Sequence, residues 1–174
     1  MKDFCIIGSG ISGATIANSL SKKYSLDVYD KARGAGGRSS NKKLNKNESF
    51  DHGVQYISPK SIQFKSFIKS LISKKILKKW TGNHIFLNDN KKEDKSHIKI
   101  IGKKGNNAIS KHLLKNINCN FSSEVIKIAN KKKVWGISFS DGSIKFYKSL
   151  GYVVTGPYES DIEIPHSSME KILF

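Results

Sequence analysis

A chain of 174 residues can bury one good core, or one domain and part of another. Its 37% hydrophobic and 26% charged residues are those of a folded globular protein, and no apolar run approaches the roughly 20 residues that span a bilayer. The formal net charge of +17 is carried almost wholly by lysines spread through every surface segment, with Arg33 and Arg38 as the two arginines; without arginine forks, zinc spacing or aromatic RNA-binding motifs, specific nucleic-acid binding is not expected.

The chain passes directly from Met1-Lys2-Asp3 into Phe4-Cys5-Ile6-Ile7, an apolar stretch too short for a signal peptide, which points to a cytoplasmic protein. Cys5 and Cys119 lack C-x-x-C spacing and read as buried reduced thiols. Residues 3–7 are expected as a buried strand. Residues 12–23 are expected as a helix packing through Ala14, Ile16, Ala17 and Leu20, and residues 26–29 as a second strand ending at Asp30. Strand, glycine turn, helix and strand within about 30 residues make a βαβ unit. Residues 33–47 read as a loop and 54–57 as a short extended piece. Residues 61–72 read as an amphipathic helix capped by Ser61, with Ile62, Phe64, Phe67, Ile68, Leu71 and Ile72 as its apolar contacts.

Further on, short apolar runs occur at 76–77, 85–87 and 98–101, with a charged loop at 88–97 between the last two, and residues 107–116 are expected as a helix. Residues 124–129, 134–139 and 143–147 are three short strands, the last two joined by the hairpin signal Asp141-Gly142. Residues 151–155 form a final apolar strand running into Gly156-Pro157.

The chemistry concentrates in the glycine turn. Gly8-Ser9-Gly10-Ile11-Ser12-Gly13 follows a strand and opens a helix, the context that gives an otherwise weak G-x-G-x-x-G pattern its meaning. Gly8 permits the tight turn, Gly10 lets the backbone approach a pyrophosphate, and Gly13 lets helix and strand pack closely. The helix N-terminus offers free N–H groups and a positive dipole end to phosphates. Asp30, followed by Lys31, stands where a ribose diol can be bound, and an acid there disfavours a 2′-phosphate. The alternative is structural: glycines at a tight turn and a solvated acid ending a strand.

After the second strand come Arg33-Gly34-Ala35-Gly36-Gly37-Arg38 and then Phe50-Asp51-His52-Gly53-Val54-Gln55-Tyr56. This combination resembles the flavin-containing amine oxidase superfamily, and its Asp-His-Gly-x-Gln-Tyr segment most resembles the renalase-like proteins within it. Residues 101–107 and 152–157 are similar to two later segments of that family, so the resemblance runs over residues 3–157. It implies an α/β protein: a Rossmann-like FAD/NAD(P)-binding domain, with a parallel sheet and a three-stranded β-meander, joined to part of an α+β substrate domain. The corresponding divisions are 1–58 with 105–158 for the nucleotide domain, 59–104 for the partial substrate domain and 159–174 as a tail. FAD is the implied cofactor. Gly8 to Gly13, Asp30, Lys31, Gly36, Gly37 and Arg38 would hold its nucleotide part, Gly53, Val54, Gln55 and Tyr56 would run beside the flavin, and Val125, Thr155 and Gly156 would lie near the adenosine.

Alternatives at single residues stay open: Arg38 as a surface ion pair, Gln55 and Tyr56 as plain strand residues, His52 as an acid–base group or as a structural imidazole. No metal site and no protein catalytic residue is assigned, because the flavin carries the chemistry. The implied activity is hydride transfer from an amine or dihydronicotinamide-like small molecule to flavin and then to oxygen. Members of the superfamily are about twice as long, so the chain is expected to be a truncated form whose own turnover is in doubt. The second expectation is a non-catalytic ADP- or dinucleotide-binding domain, or a partner-dependent subunit. Oligomeric state is not readable from the sequence.

Overall fold

The computed structural model describes residues 1–46, 48–81, 98–131 and 134–149, with backbone alone at 131, 152–154 and 169–171. The expectations at 85–97, at Thr155, Gly156 and Pro157, and for most of the tail lie outside the described residues.

Strand β1 (Phe4–Ile7) leads through the glycine turn into helix α1 (Ile11–Leu20) and back into strand β2 (Leu26–Tyr29). β1 and β2 pair in parallel, Phe4 opposite Leu26 and Ile7 opposite Tyr29. The third strand of this sheet, β7 (Cys119–Asn120), joins β2 in parallel from about ninety residues further along, giving the order β1-β2-β7. α1 packs on the sheet through Ala14 and Ala17, both fully buried. Ile16 was expected on that face and is instead half exposed, because the helical period places Gly13, Ala14 and Ala17 toward the strands and turns Ile16 outward.

The loop expected over 33–47 is more ordered than its composition suggests. A 3₁₀ turn at Gly37–Ser39 is followed by strand β3 (Asn41–Lys43), which pairs antiparallel with β4 (Ser49–Asp51). Helix α2 (Ile62–Ser73) begins where expected, with the Ser61 hydroxyl accepting from the Phe64 N–H. Ile68 and Leu71 are buried, but Ile62 and Phe64 are exposed, so the apolar face is narrower than the six residues proposed for it. β5 (Leu77–Lys79) and β6 (Ile100–Gly102) form an antiparallel pair that Ile57 extends by bridging Ile100. Helix α3 (Ala108–Leu113) is shorter than expected. Ile68, Leu71, Leu77, Ile100, Ile109 and Leu113 share one buried cluster with Ile6, Ala14, Leu26 and Val28.

Strands β8 (Val125–Lys131), β9 (Val134–Phe139) and β10 (Ile144–Lys148) form the expected meander, in the order β10-β9-β8. Gly142, at φ +84°, takes the left-handed position of its hairpin turn. A second cluster of Tyr29, Ile137, Phe139 and Tyr147 fastens the meander to the parallel sheet. At that joint Asp27, buried in the middle of β2, pairs with the Lys2 ammonium and accepts from the Asn118 amide at 2.6 Å and the Tyr147 hydroxyl at 3.1 Å. The Tyr147 hydroxyl also lies 2.9 Å from that of Tyr29. Burial works against the Asp27 charge, but Lys2, Asn118 and Tyr147 outweigh it and hold the carboxyl below its usual range. Beside this network, burial pushes the Cys5 thiol up to about 12.

Strand β11 (Tyr152–Val154) pairs antiparallel with β12 (Met169–Lys171), and no pairing with β1 is formed among the described residues.

Candidate functional site

Three glycine-bearing segments, distant in sequence, interlock at the C-terminal ends of β1 and β2. The first is the turn at 8–13. Gly8 sits at φ +97° and donates its N–H to the Tyr29 carbonyl at 2.7 Å, which ties the turn to the end of β2. A Cβ at Gly13 would lie 2.0 Å from the Gly8 carbonyl oxygen, so only glycine lets α1 sit this close to β1. Gly10 is different. Its φ of −66° suits any residue, and a Cβ there would meet its nearest neighbours, Gly37 Cα and the Gly36 oxygen, at ordinary contact distances of 3.7 and 4.0 Å. Among the described residues nothing requires Gly10 to be glycine.

Gly10 is also the N-cap of α1, with no side chain capping it; the Ala14 N–H returns to the Gly10 carbonyl at 2.9 Å. The N–H groups of Ile11, Ser12 and Gly13 have no acceptor one turn earlier within the helix, the usual state of a helix start. The side chains of Ile11 and Ser12 are exposed. A ten-residue helix with an uncapped N-terminus opening on a bare glycine is a surface that accepts an anion.

The second segment is Gly36–Arg38. Gly36 bridges Gly10 and donates its N–H to the Ser9 carbonyl at 3.2 Å. Its φ of +145° and the 2.9 Å between its Cβ position and Asn107 Cβ exclude a side chain, and a Cβ on Gly37 would come within 3.1 Å of Gly10 Cα. The third segment rests on the second. A Cβ at Gly53 would lie 2.0 Å from the Arg38 carbonyl oxygen, which accepts the Val54 N–H at 2.9 Å. The Arg38 side chain is exposed and makes no hydrogen bond or ion pair among the described residues, so the surface ion-pair alternative has no partner there. Gln55 and Tyr56 are exposed, Tyr56 lying against Trp80 with ring centroids 6.0 Å apart. His52 is exposed too, its ring edge-on to Phe50 at 6.2 Å.

Asp30 is already engaged. Its Oδ2 accepts from the Ser9 N–H at 2.7 Å and from the Ser9 hydroxyl, and its Oδ1 accepts from the Ala32 N–H at 2.8 Å. A carboxylate has about four acceptor positions, so one remains for a ligand hydroxyl without rearrangement. Lys31 is exposed beside it. The Ser123 N–H donates to the Asp30 carbonyl at 2.9 Å and the Ser122 N–H to the Ala32 carbonyl at 3.0 Å. These bonds bring the start of β8, and with it half-buried Val125, to the Asp30 end of the cradle.

One organising residue was not among the sequence candidates. Asn106 is 1% exposed and its side-chain amide donates to the carbonyls of Val54 at 2.7 Å and Gln55 at 3.0 Å, while its Oδ1 accepts from the Gly102 N–H. Its own N–H donates to Asp51 Oδ1 at 2.8 Å. Asn106 therefore clamps the 53–56 segment from behind. The available signal was the pair Gly102 and Gly105 just before it: a Cβ on Gly102 would lie 1.8 Å from the Gly105 oxygen, and Gly105 sits at φ +110°. Asn107 beside it donates to the Ala35 carbonyl at 3.2 Å. Among the described residues no group of three or more His, Cys, Asp or Glu could hold a metal ion, and no helix is long and apolar enough to cross a membrane.

Comparison with known proteins agrees with this geometry. Residues 6–71 match the family described as NAD(P)-binding Rossmann-like domain. Among solved structures, a triple mutant of putrescine oxidase redesigned in its cofactor binding superposes with a TM-score of 0.64 at 11% identity, over 84% of this chain and 56% of that one. The tetracycline destructases Tet(51) and Tet(55) superpose with TM-scores of 0.55 and 0.59 at 18% and 12% identity, each over 85% of this chain and 37% of theirs. The chain thus spans between about a third and a little over half of the length of these structures. At such identities the likeness is one of fold: this is an α/β protein with a Rossmann-like fold built on a parallel sheet.

Proposed function

We propose that the chain binds FAD and forms the nucleotide-binding part of a flavin-dependent oxidoreductase of the amine oxidase type, resembling the renalase-like proteins in its 51–56 segment. The observation that carries this reading is Gly10, set at an uncapped helix N-terminus where no described residue requires a glycine. A pyrophosphate fits there, held by the N–H groups of the 10–13 turn. Arg38 reaches it from the neighbouring loop with a guanidinium that has no protein partner among the described residues. Asp30 takes one ribose hydroxyl on its remaining acceptor position, with Lys31 and Val125 beside the adenosine. The 53–56 segment, fixed by Asn106 and the Arg38 carbonyl, lines the flavin side.

FAD, when bound, supplies the acceptor for a substrate hydride. The residues of this chain bind and orient it and present exposed Tyr56 and Trp80 toward the substrate side, where segment 59–104 would contribute. An amine or a dihydronicotinamide is the substrate class this reading takes. The name of one structural neighbour, putrescine oxidase, supports oxidation as the reaction type.

The test is anaerobic reduction of the FAD-reconstituted protein by putrescine and by a dihydronicotinamide. Loss of the 450 nm flavin band on mixing, and its return on admitting air, is the expected result. A protein that binds ADP but retains no flavin contradicts the enzyme reading and leaves an ADP-binding domain. Retained flavin that neither compound reduces contradicts the substrate class.

A further inference from the structure

Arg33 is the other of the two arginines in a lysine-rich chain, three residues before the Gly36–Arg38 segment of the nucleotide cradle. With Gly34 and Ala35 it lines a cleft of about 590 Å³ that none of the residues of the nucleotide cradle lines. That volume is in the range of small-ligand sites, about 300–1,000 Å³. Arg33 and Lys111 of α3 supply the charge, while Leu114, Ile117, Cys119 and Phe121 supply apolar wall. Leu114 is buried, and Ile117, Cys119 and Phe121 are half-buried and packed on the main core, so this wall is firm. Arg33 and Lys111 are both exposed, make no ion pair among the described residues, and have no acidic residue beside them in the cleft lining.

The backbone adds a donor. Among the described residues β7 is the edge strand of the parallel sheet, joined to β2 on one side only. The Val28 and Asp30 N–H groups bond to the carbonyls of Asn118 and Asn120, so these residues face β2. Alternation along a parallel ladder then directs the Cys119 N–H to the open edge, where Cys119 lines the cleft.

We propose that this cleft is a second ligand site, separate from the nucleotide cradle, for a small organic carboxylate with an apolar body of about eight carbons or one aryl ring. The Arg33 fork pairs with the carboxylate, Lys111 adds its charge, and Leu114, Ile117 and Phe121 cover the body. A planar guanidinium fits a carboxylate through two parallel hydrogen bonds where lysine offers a point charge, which accounts for arginine at this position in a chain that otherwise uses lysine.

The test is calorimetric titration of the full chain with octanoate, 1-octanol and acetate. Octanoate should bind at least tenfold more tightly than either of the others, since octanol lacks the charge and acetate the body. Arg33→Gln and Lys111→Gln should each weaken octanoate, Arg33→Gln by about tenfold, while Lys65→Gln on exposed α2 leaves it unchanged. In amide NMR spectra octanoate should move Leu114 and Cys119 and leave Gly10 in place. Equal binding of octanoate and octanol, or equal weakening by Lys65→Gln and the cleft variants, would show charge- or grease-driven adsorption and overturn the proposal. An Arg33→Gln protein with unchanged circular dichroism and unchanged octanoate affinity would overturn it as well.

Discussion

Gly10 and Gly13 lie one helical turn apart and are glycines for different reasons, which makes them a sharp pair of probes. A methyl group on Gly13 would sit 2.0 Å from the Gly8 carbonyl oxygen, so α1 must move to admit it. Overpacking of this kind costs on the order of 3 kcal/mol, and Gly13→Ala should lower the urea midpoint accordingly. A methyl on Gly10 meets only ordinary contacts. Gly10→Ala should therefore change stability by less than about 1 kcal/mol, the scale of an N-cap substitution, while weakening nucleotide binding at least tenfold. The roles of Gly8 and Gly13 were legible in the sequence because a left-handed φ and a close contact each demand glycine. Asn106 was not legible, since its spacing resembles that of any loop asparagine and only the fold shows it bonded to Val54 and Gln55. Replacing it leaves the part-buried Val54 and Gln55 carbonyls without that donor, at up to about 1–3 kcal/mol each. Asn106→Ala should be destabilised by several kcal/mol, and Asn106→Asp further at neutral pH, because a carboxylate cannot donate to either carbonyl. Urea midpoints in the order wild type, Ala, Asp check this; an Asp variant as stable as wild type would contradict it.

At the scale of elements, the joint between the parallel sheet and the meander rests on an acid in the centre of a buried strand. Asp27 reads in the sequence as a polar interruption of β2, and nothing local announces that Lys2, Asn118 and Tyr147 converge on it from three other segments. Its folded pKa is held below its ordinary value, near 3.8. The sign follows: the unfolded chain takes up the proton first, so the stability due to Asp27 is complete above the ordinary carboxylate range and is lost as pH falls through the lower folded value. Melting temperatures measured from pH 6 down to pH 2 should fall more steeply for wild type than for Asp27→Asn, and the variant should be the less stable of the two at pH 7. Parallel curves would contradict this role. The meander itself was readable from its three apolar strands and the Asp141-Gly142 turn. The β3–β4 pair was not, because Asn41-Lys42-Lys43 and Ser49-Phe50-Asp51 carry no apolar alternation; there pairing is imposed from outside, through Asn41 and Asp51, which bond to each other and, through Asp51, to Asn106.

For the whole molecule, the cradle is a product of long-range assembly. Residues 8–13, 36–38 and 53–54 touch through backbone contacts, and Asn106 through its side-chain amide, that no local pattern encodes. β7 is too short to be recognised alone, yet it completes the sheet and carries the chain toward Val125 beside Asp30. The match of residues 6–71 to a Rossmann-like domain family covers the first three of these segments, and the solved structures extend the likeness over 84–85% of the chain. The central claim, that Gly10 is kept bare for a dinucleotide pyrophosphate, is tested most directly by titrating FAD and ADP into the purified wild-type chain and into Gly10→Ala, with unfolding curves on both. The account predicts that wild type binds both ligands, and that the variant loses at least tenfold in affinity for each at a urea midpoint close to wild type. A folded Gly10→Ala protein that binds FAD and ADP as tightly as wild type, or a folded wild type that binds neither, would contradict it.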